Sequence, residues 1–238
     1  QGAEFVAESL AEYSALVVLK HRYGDAKMRR FLRYELDKYL AGRGSEQKGE
    51  QPLLRADGAA YVHYQKGALA LYALQDAIGE AAMDDALSAF VARWRCKGPP
   101  YATSRDLVAE LRRVTPPGQQ GLIEDLFETI TLYDDRAVSA TARKRSDGAY
   151  DVDLVVLARK MRSDGGGAER DAPMDALVDI GVQGAQGDFL FLEKRRVRTG
   201  ENRFTLAVDG VPARAGIDPL AKLIDRDATD NVVAVELP

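Results

Sequence analysis

Two glutamates near the start of the chain, Glu8 and Glu12, are the residues whose spacing most directly suggests chemistry. On a helix, side chains four residues apart lie on the same face. The flanking positions Phe5, Ala11 and Ala15 carry no cation that could pair with them. Carboxylates on an otherwise apolar helix need a counter-charge or water. The pair therefore predicts contact with a metal ion, a cationic ligand or solvent, and these three alternatives stay open.

A second stretch places Tyr61, His63 and Tyr64 directly before Lys66 and an apolar helix. Taken alone, this pattern predicts a helix whose first turn is packed by aromatic side chains. A single histidine binds a metal only with partners at ligand spacing, and His63 has none. We expect His63 to lie behind a site or at the surface. We expect His21 to lie at a solvated helix end, where a cation suits the helix dipole.

Together the two stretches resemble the gluzincin aminopeptidases, the group of aminopeptidase N and leukotriene A4 hydrolase. In that family a glutamate that binds zinc opens a helix with the pattern W-L-x-E-G-x-A-x-Y. Glu8, Ala11 and Tyr13 match this pattern, whereas Ala7 and Ser9 depart from the usual asparagine and glycine. The resemblance implies that Glu8 is a zinc ligand.

The second shared motif is Y-x-K-G-A, whose tyrosine stabilises an oxyanion in the family. The segment Tyr64–Ala68 matches it residue for residue. A weaker likeness is Tyr101–Leu107, which resembles an A-T-x-x-D-L segment at a helix start later in the same domain. The order and spacing of the first two motifs also agree with the family. The resemblance implies that Tyr64 is the catalytic tyrosine.

The zinc site of the family also needs H-E-x-x-H, two histidine ligands one helical turn apart with a glutamate base between them. The chain has only two histidines, His21 and His63, and neither stands in such a motif. In the family the motif ends roughly eighteen residues before the glutamate ligand, and this chain begins seven residues before Glu8. The resemblance implies a carboxyl-terminal fragment of a zinc-dependent aminopeptidase, inactive alone, that binds Zn²⁺ and peptide substrate together with the upstream part of the same polypeptide.

Two other hypotheses compete with this one. In the first, the chain is a degenerate, non-catalytic peptidase-like domain that serves protein interaction or regulates a membrane permease. Ser9 favours it, because the family has glycine there, whereas the presence of both Glu8 and Tyr64 argues against it. In the second, a structural protein without peptidase ancestry matches both motifs by chance.

The tail of the chain, Ala215–Pro219 and Leu223–Arg226, resembles a bacterial branch in which an aminopeptidase-like region follows an ABC-type permease in one polypeptide. That likeness implies a membrane-bound intact protein. The chain itself has no run of about eighteen apolar residues, so we expect membrane contact only through other segments. Missing neighbours would leave apolar surface exposed, which predicts pairing with another copy as one alternative.

Composition excludes several classes of site. With 33 Lys and Arg against 37 Asp and Glu, the net charge of −4 gives no electrostatic basis for binding nucleic acid. The single cysteine, Cys96, excludes an internal disulfide and a cysteine-based zinc cage. It does not decide the cellular compartment.

The hydrophobic period changes along the chain from helical to alternating, which predicts an α+β protein of two domains. Residues 1–134 are expected to form the helical part of a peptidase catalytic domain, the carboxyl-terminal half of a thermolysin-like domain. Residues 135–238 are expected to form an immunoglobulin-like β-sandwich. Helices are predicted over residues 2–21, 26–40, 61–78, 80–94, 105–114 and 120–129, and strands near 137–145, 150–160, 176–182, 189–197, 203–208, 211–213 and 232–237. The acids at 225, 227 and 230 lack EF-hand spacing and predict a plain acidic turn.

Overall fold

The structure, a computed structural model, describes residues 2–237. Its first part is helical. The α-helices are α1 (Leu10–Tyr23), α2 (Arg29–Gly44), α3 (Gly67–Ile78), α4 (Glu80–Trp94), α5 (Ser104–Val114) and the short α6 (Gln120–Ile123). Three further segments, Phe5–Ser9, Tyr61–Lys66 and Glu124–Glu128, are π-helical and run directly into or out of an α-helix.

Local sequence explains where several helices begin and end. At the end of α1, Gly24 has a φ of 80°, a conformation that glycine adopts without strain. Thr103 and Asp106 form a reciprocal capping box at the start of α5, in which the backbone N–H of Thr103 donates to Asp106 Oδ2 at 2.9 Å. The sequence-based prediction placed the first boundary at residue 21 and the second at residue 105, each within two residues of the structure.

Helix α2 differs from its prediction at both ends. Asp25 does not cap a helix from Ala26, because Asp25–Lys27 is a 3₁₀ turn and α2 begins at Arg29. The helix then continues to Gly44, past the predicted end at residue 40. The guanidinium of Arg43, in the last turn, donates to a buried carboxylate outside the helix. Such a long-range contact is absent from local propensity, which is why the sequence predicted the end too early.

Contacts divide the described chain into two compact units. The first contains the chain up to Asp25 together with Arg30–Thr131 and Arg162–Glu169. The second contains Ala26–Arg29, Leu132–Met161 and the chain from Arg170 onward. The predicted domain boundary between residues 134 and 135 stays a prediction. Within residues 2–237, no helix combines the length and the apolarity that crossing a bilayer requires.

The core of the first unit forms around α3, whose residues from Gly67 to Gln75 are buried at all but one position. Phe5 packs against Phe127 with ring centroids 5.7 Å apart. Both rings are fully buried, so the segment before α1 is fixed by apolar contact. This is the scaffold that holds the predicted site residues.

The second unit is built from strands. They are β1 (Ile130–Tyr133), β2 (Arg136–Lys144), β3 (Tyr150–Ala158), β4 (Lys160–Ser163), β5 (Glu169–Ala172), β6 (Asp175–Gln183), β7 (Phe189–Arg198), β8 (Gly200–Val208), β9 (Arg214–Ile217) and β10 (Val232–Ala234), of which β1, β4 and β5 contribute residues to both units. The described strands form sheets of order β1-β4-β5, β10-β9-β6-β7 and β2-β3-β8. The predicted strand at 211–213 is wrong, since the chain there is irregular and β9 starts only at Arg214. Pro212 has no N–H to donate to a ladder.

Two antiparallel sheets, β2-β3-β8 and β10-β9-β6-β7, share one hydrophobic core. Val152, Leu154 and Val156 point into it from alternate positions of β3, and Ile180 and Ile217 do so from the other sheet. The predicted fold class, a helical region followed by a β-sandwich, is confirmed.

The prediction of a plain acidic turn near the end of the chain is wrong for one residue. Asp227 and Asp230 are exposed, but Asp225 is only 1% exposed. Its two carboxylate oxygens accept the backbone N–H groups of Asp135 at 3.1 Å and of Asp227 at 2.9 Å. Asp225 is therefore a buried cap that joins two segments distant in the sequence.

Candidate functional site

Glu8 lies in the π-helical segment Phe5–Ser9, called the Glu8 segment below. Phe5 and Ser9 are buried, whereas Glu8 is half-buried at the edge of the first unit. π-helical turns are rare and occur often at functional sites.

Tyr64 lies in a second π-helical segment, Tyr61–Lys66, called the Tyr64 segment below. Val62, His63 and Lys66 are buried, and Tyr64 is half-buried. Helix α3 begins at the next residue, Gly67, whose N–H donates to the carbonyls of Val62 and Tyr64. The i−5 bond from Gly67 to Val62 is the signature of the wider turn.

The structure brings the two sequence-predicted site residues together. The Tyr64 side chain lies beside the Glu8 carboxylate, and this hydrogen-bonding contact raises the pKa of Tyr64; burial and the negative charges of Glu8, Glu12 and Glu4 also raise it. Because the phenol stays protonated, it can donate and the carboxylate can accept. The pair therefore presents one hydrogen-bond donor and one anionic ligand atom at the same place.

A close packing contact holds the two segments against each other. The Ser9 hydroxyl donates to the backbone carbonyl of His63. A Cβ added to Gly67 would overlap the Ser9 side chain. The glycine of the Y-x-K-G-A motif is thus explained locally, since it leaves room for the Glu8 segment to approach.

Each of the two histidines lies beside a carboxylate. His63 is buried beside Tyr64, with Nδ1 3.0 Å from Glu4 Oε2, a carboxylate oxygen that also accepts the N–H of Gly58 at 2.6 Å. His21 is exposed near the end of α1, with Nε2 2.7 Å from Glu80. Across residues 2–237, no three His, Cys, Asp or Glu side chains are grouped so as to hold a metal ion.

Sequence reasoning missed Glu35, a buried carboxyl close to Glu12. It is 5% exposed, and its Oε2 has no hydrogen-bond partner among the described residues. The pKa of Glu35 is raised to about 7, mainly by burial and also by the charge of Glu12, while a hydrogen bond with Gln65 opposes the rise. Its position carried a signal, since it falls among Leu32, Leu36 and Tyr39 on the apolar face of α2.

No family model and no curated protein matches this sequence. Among solved structures, the chain is similar to the crystal structure of Legionella pneumophila aminopeptidase A in complex with aspartic acid, at 12% sequence identity and a TM-score of 0.49. The match covers 100% of this chain and 24% of that protein. At this identity and TM-score, the likeness assigns neither a fold family nor an activity to this chain.

Proposed function

We propose that this chain is the carboxyl-terminal part of the catalytic region of a zinc-dependent aminopeptidase, which removes N-terminal residues from peptides. The observation that carries the proposal is that the two π-helical segments pack together through Ser9 and His63 and bring the Tyr64 side chain beside Glu8. Tyr64 and Glu8 are distant in the sequence and were singled out by separate motifs. A helical protein without peptidase ancestry gives no reason for them to meet.

Tyr64 acts in this proposal as the donor to the oxyanion that forms when water attacks the scissile carbonyl. A preorganised donor of this kind stabilises the charge that develops in the transition state. The hydroxyl must leave the Glu8 carboxylate to reach that oxygen, since a phenol has a single proton to donate. A tyrosine hydroxyl, whose ordinary pKa is about 10, keeps that proton at neutral pH.

Glu8 is the one residue that the proposal assigns to zinc. The described residues do not form a zinc site by themselves. The proposal therefore assigns the two histidine ligands and the general base to a segment outside residues 1–238, and the isolated chain is expected to be inactive.

The proposal is tested on the full-length protein by measuring bound zinc and hydrolysis of aminoacyl-p-nitroanilides. Wild-type protein should bind one zinc and cleave the substrate. Glu8→Ala should lose tight zinc binding, because a His₂Glu site loses one of its three protein ligands. The matched control is Glu12→Ala, one helical turn further along the same face, which should retain zinc.

The outcomes separate the competing hypotheses. Stoichiometric zinc in purified Glu8→Ala protein would contradict the assignment of the ligand. Wild-type protein that folds, binds no zinc and cleaves no peptide would favour the non-catalytic peptidase-like domain, which serves interaction or permease regulation. In that case Glu8 and Tyr64 are relics of an ancestral site.

A further inference from the structure

A buried ion pair anchors the end of the Tyr64 segment. The ammonium of Lys66 is 2.6 Å from Glu50 Oε1, and the two side chains are 1% and 2% exposed. The same carboxylate accepts hydrogen bonds from the Tyr39 hydroxyl at 2.8 Å and from Arg43 Nε at 2.9 Å. The backbone N–H of Glu50 donates to the carbonyl of Gly165 at 2.9 Å. Glu50 thus links Lys66 to α2 and to a second loop of the same unit.

Stability alone is a weak reason for such a pair. Removing two charges from water is costly, and apolar residues of similar volume often stabilise a fold as well or better. Burial lowers the pKa of Lys66, while the attraction of Glu50 opposes that change. A buried ionic contact does restrict the chain to one conformation, because an alternative arrangement leaves a charge unpaired.

The Tyr64 segment, which ends at Lys66, has a conformation that needs such a restriction. A π-helical turn is less favourable than an α-helical one and is found mainly in short pieces. Removing its extra residue would rotate the preceding side chains relative to α3 by about 100°. That rotation would carry Tyr64 away from Glu8. The Ser9 hydroxyl holds the carbonyl of His63 on one side of Tyr64, and Lys66 holds the other side.

We propose that Lys66 is a positioning residue for Tyr64, and that its ion pair with Glu50 keeps the Tyr64 segment π-helical with the Tyr64 hydroxyl at Glu8. The local claim concerns the geometry of the segment. Its catalytic consequence rests on the proposed function.

The test uses the variant Lys66→Met/Glu50→Gln. The glutamine carbonyl keeps an acceptor for Arg43, its NH2 group can donate to the Tyr39 hydroxyl, and Arg43 keeps Glu169 as a partner, so neither member of the buried pair is left as a lone charge. Backbone amide hydrogen exchange of residues 61–66 should rise about 10- to 100-fold, because a buried charged hydrogen bond that holds the segment is gone. Exchange in α4 of the same unit should change by less than about threefold, which separates local release from general destabilisation.

The matched control removes a comparable buried ion pair in the second unit. Lys222 Nζ is 2.6 Å from Asp179 Oδ2 in the second unit, with both side chains largely buried. Lys222→Met/Asp179→Asn should leave exchange of residues 61–66 unchanged. Two results for Lys66→Met/Glu50→Gln would overturn the proposal. One is an exchange rate that rises equally throughout the first unit, and the other is an exchange rate that does not change at residues 61–66. If that variant does not fold, Lys66→Met alone is measured by the same criterion, because Glu50 then keeps its hydrogen bonds from Tyr39 and Arg43.

Kinetics of the full-length protein give the second readout. In the Lys66→Met/Glu50→Gln protein, kcat should fall by at least about tenfold with KM and zinc content retained, since a lost transition-state donor lowers kcat. When Lys66→Met/Glu50→Gln is combined with Tyr64→Phe, kcat should be no lower than in Tyr64→Phe alone. Full additivity would overturn the catalytic consequence. A wild-type protein without activity would refute the proposed function, while the exchange experiment would still decide whether Lys66 positions Tyr64.

Discussion

The hydroxyl of Ser9 donates a hydrogen bond to the backbone carbonyl of His63, 54 residues later in the chain. This contact joins the Glu8 segment to the Tyr64 segment. Glycine, which is usual at this position in the gluzincin pattern, could not make it. The departure that seemed to favour a degenerate domain is therefore a structural link, and Ser9 gives no support to the non-catalytic hypothesis.

Replacing Ser9 by alanine should destabilise the first unit. The buried carbonyl of His63 loses the Ser9 donor, and an unmet buried hydrogen bond costs about 1–3 kcal/mol. The measurement is urea-induced unfolding of Ser9→Ala against wild type. The control is Ser14→Ala, whose exposed hydroxyl donates to Leu10 O within α1 at 2.6 Å and should matter little. Equal unfolding midpoints for Ser9→Ala and wild type would refute the role given to this contact.

Gly67→Ala should also destabilise the chain, although alanine is favoured over glycine in helices by about 1 kcal/mol. The added methyl group would overlap the Ser9 side chain, which has backbone behind it. Gly121→Ala is the control, because a Cβ there meets no atom within 4 Å, so the change should stabilise α6. The double variant Ser9→Gly/Gly67→Ala should recover stability relative to Gly67→Ala. Additive losses in the double variant would show that the overlap is not with Ser9.

Tyr64→Phe in the full-length protein should lower kcat by roughly 10²–10³-fold, the usual loss for one oxyanion donor. Zinc content should be unchanged, since the phenol is not assigned to the metal. Tyr61→Phe is the matched control in the same segment. The Tyr61 ring stacks on Tyr39 with centroids 6.0 Å apart, so the change should leave kcat near wild type. A kcat for Tyr64→Phe equal to that of wild type would remove Tyr64 from the mechanism.

Much of the fold could be predicted from the sequence because the features that determine the helices and strands are local. The predicted span of α4 agrees with the structure at Glu80 and Trp94, and α5, predicted over residues 105–114, spans Ser104–Val114. The strand predicted near residues 150–160 contains β3, whose Val152 and Leu154 lie in the sandwich core. Caps, breakers and hydrophobic period each act within a few residues, so one sequence is enough to read them.

The geometry of the candidate site could be predicted less well, because it depends on contacts between segments that are distant in the sequence. The motifs selected Glu8 and Tyr64, but nothing local indicated that both lie in π-helical turns. The ion pair between Lys66 and Glu50 joins a motif residue to a polar loop, and nothing in the sequence of that loop indicates the contact. A π-helical turn has no propensity signature of its own and persists only where the surrounding structure holds it.

The second unit should become less stable as the pH rises through neutrality. Burial raises the pKa of Asp135 to about 8, with Asp225, Asp218 and Asp134 adding to the rise. Burial likewise raises the pKa of Asp218 to about 7 and that of Asp225 to about 6. In the unfolded chain these groups ionise near pH 4, so the folded state binds more protons above that pH. Stability is then greatest at the acidic side and falls as each group ionises.

The free energy of unfolding should fall by up to about 1.4 kcal/mol per pH unit for each such group, between about pH 4 and the pKa of that group in the folded state. Asp135→Asn keeps an acceptor for the Arg159 N–H, which donates to Asp135 Oδ1 at 3.0 Å, and removes the charge. Urea unfolding of the variant between about pH 5 and 8 should show a shallower pH dependence and higher stability at the alkaline end. Asp209→Asn, at an exposed turn after β8, should keep the wild-type slope. An Asp135→Asn protein with the wild-type slope would show that Asp135 ionises as freely when folded as when unfolded.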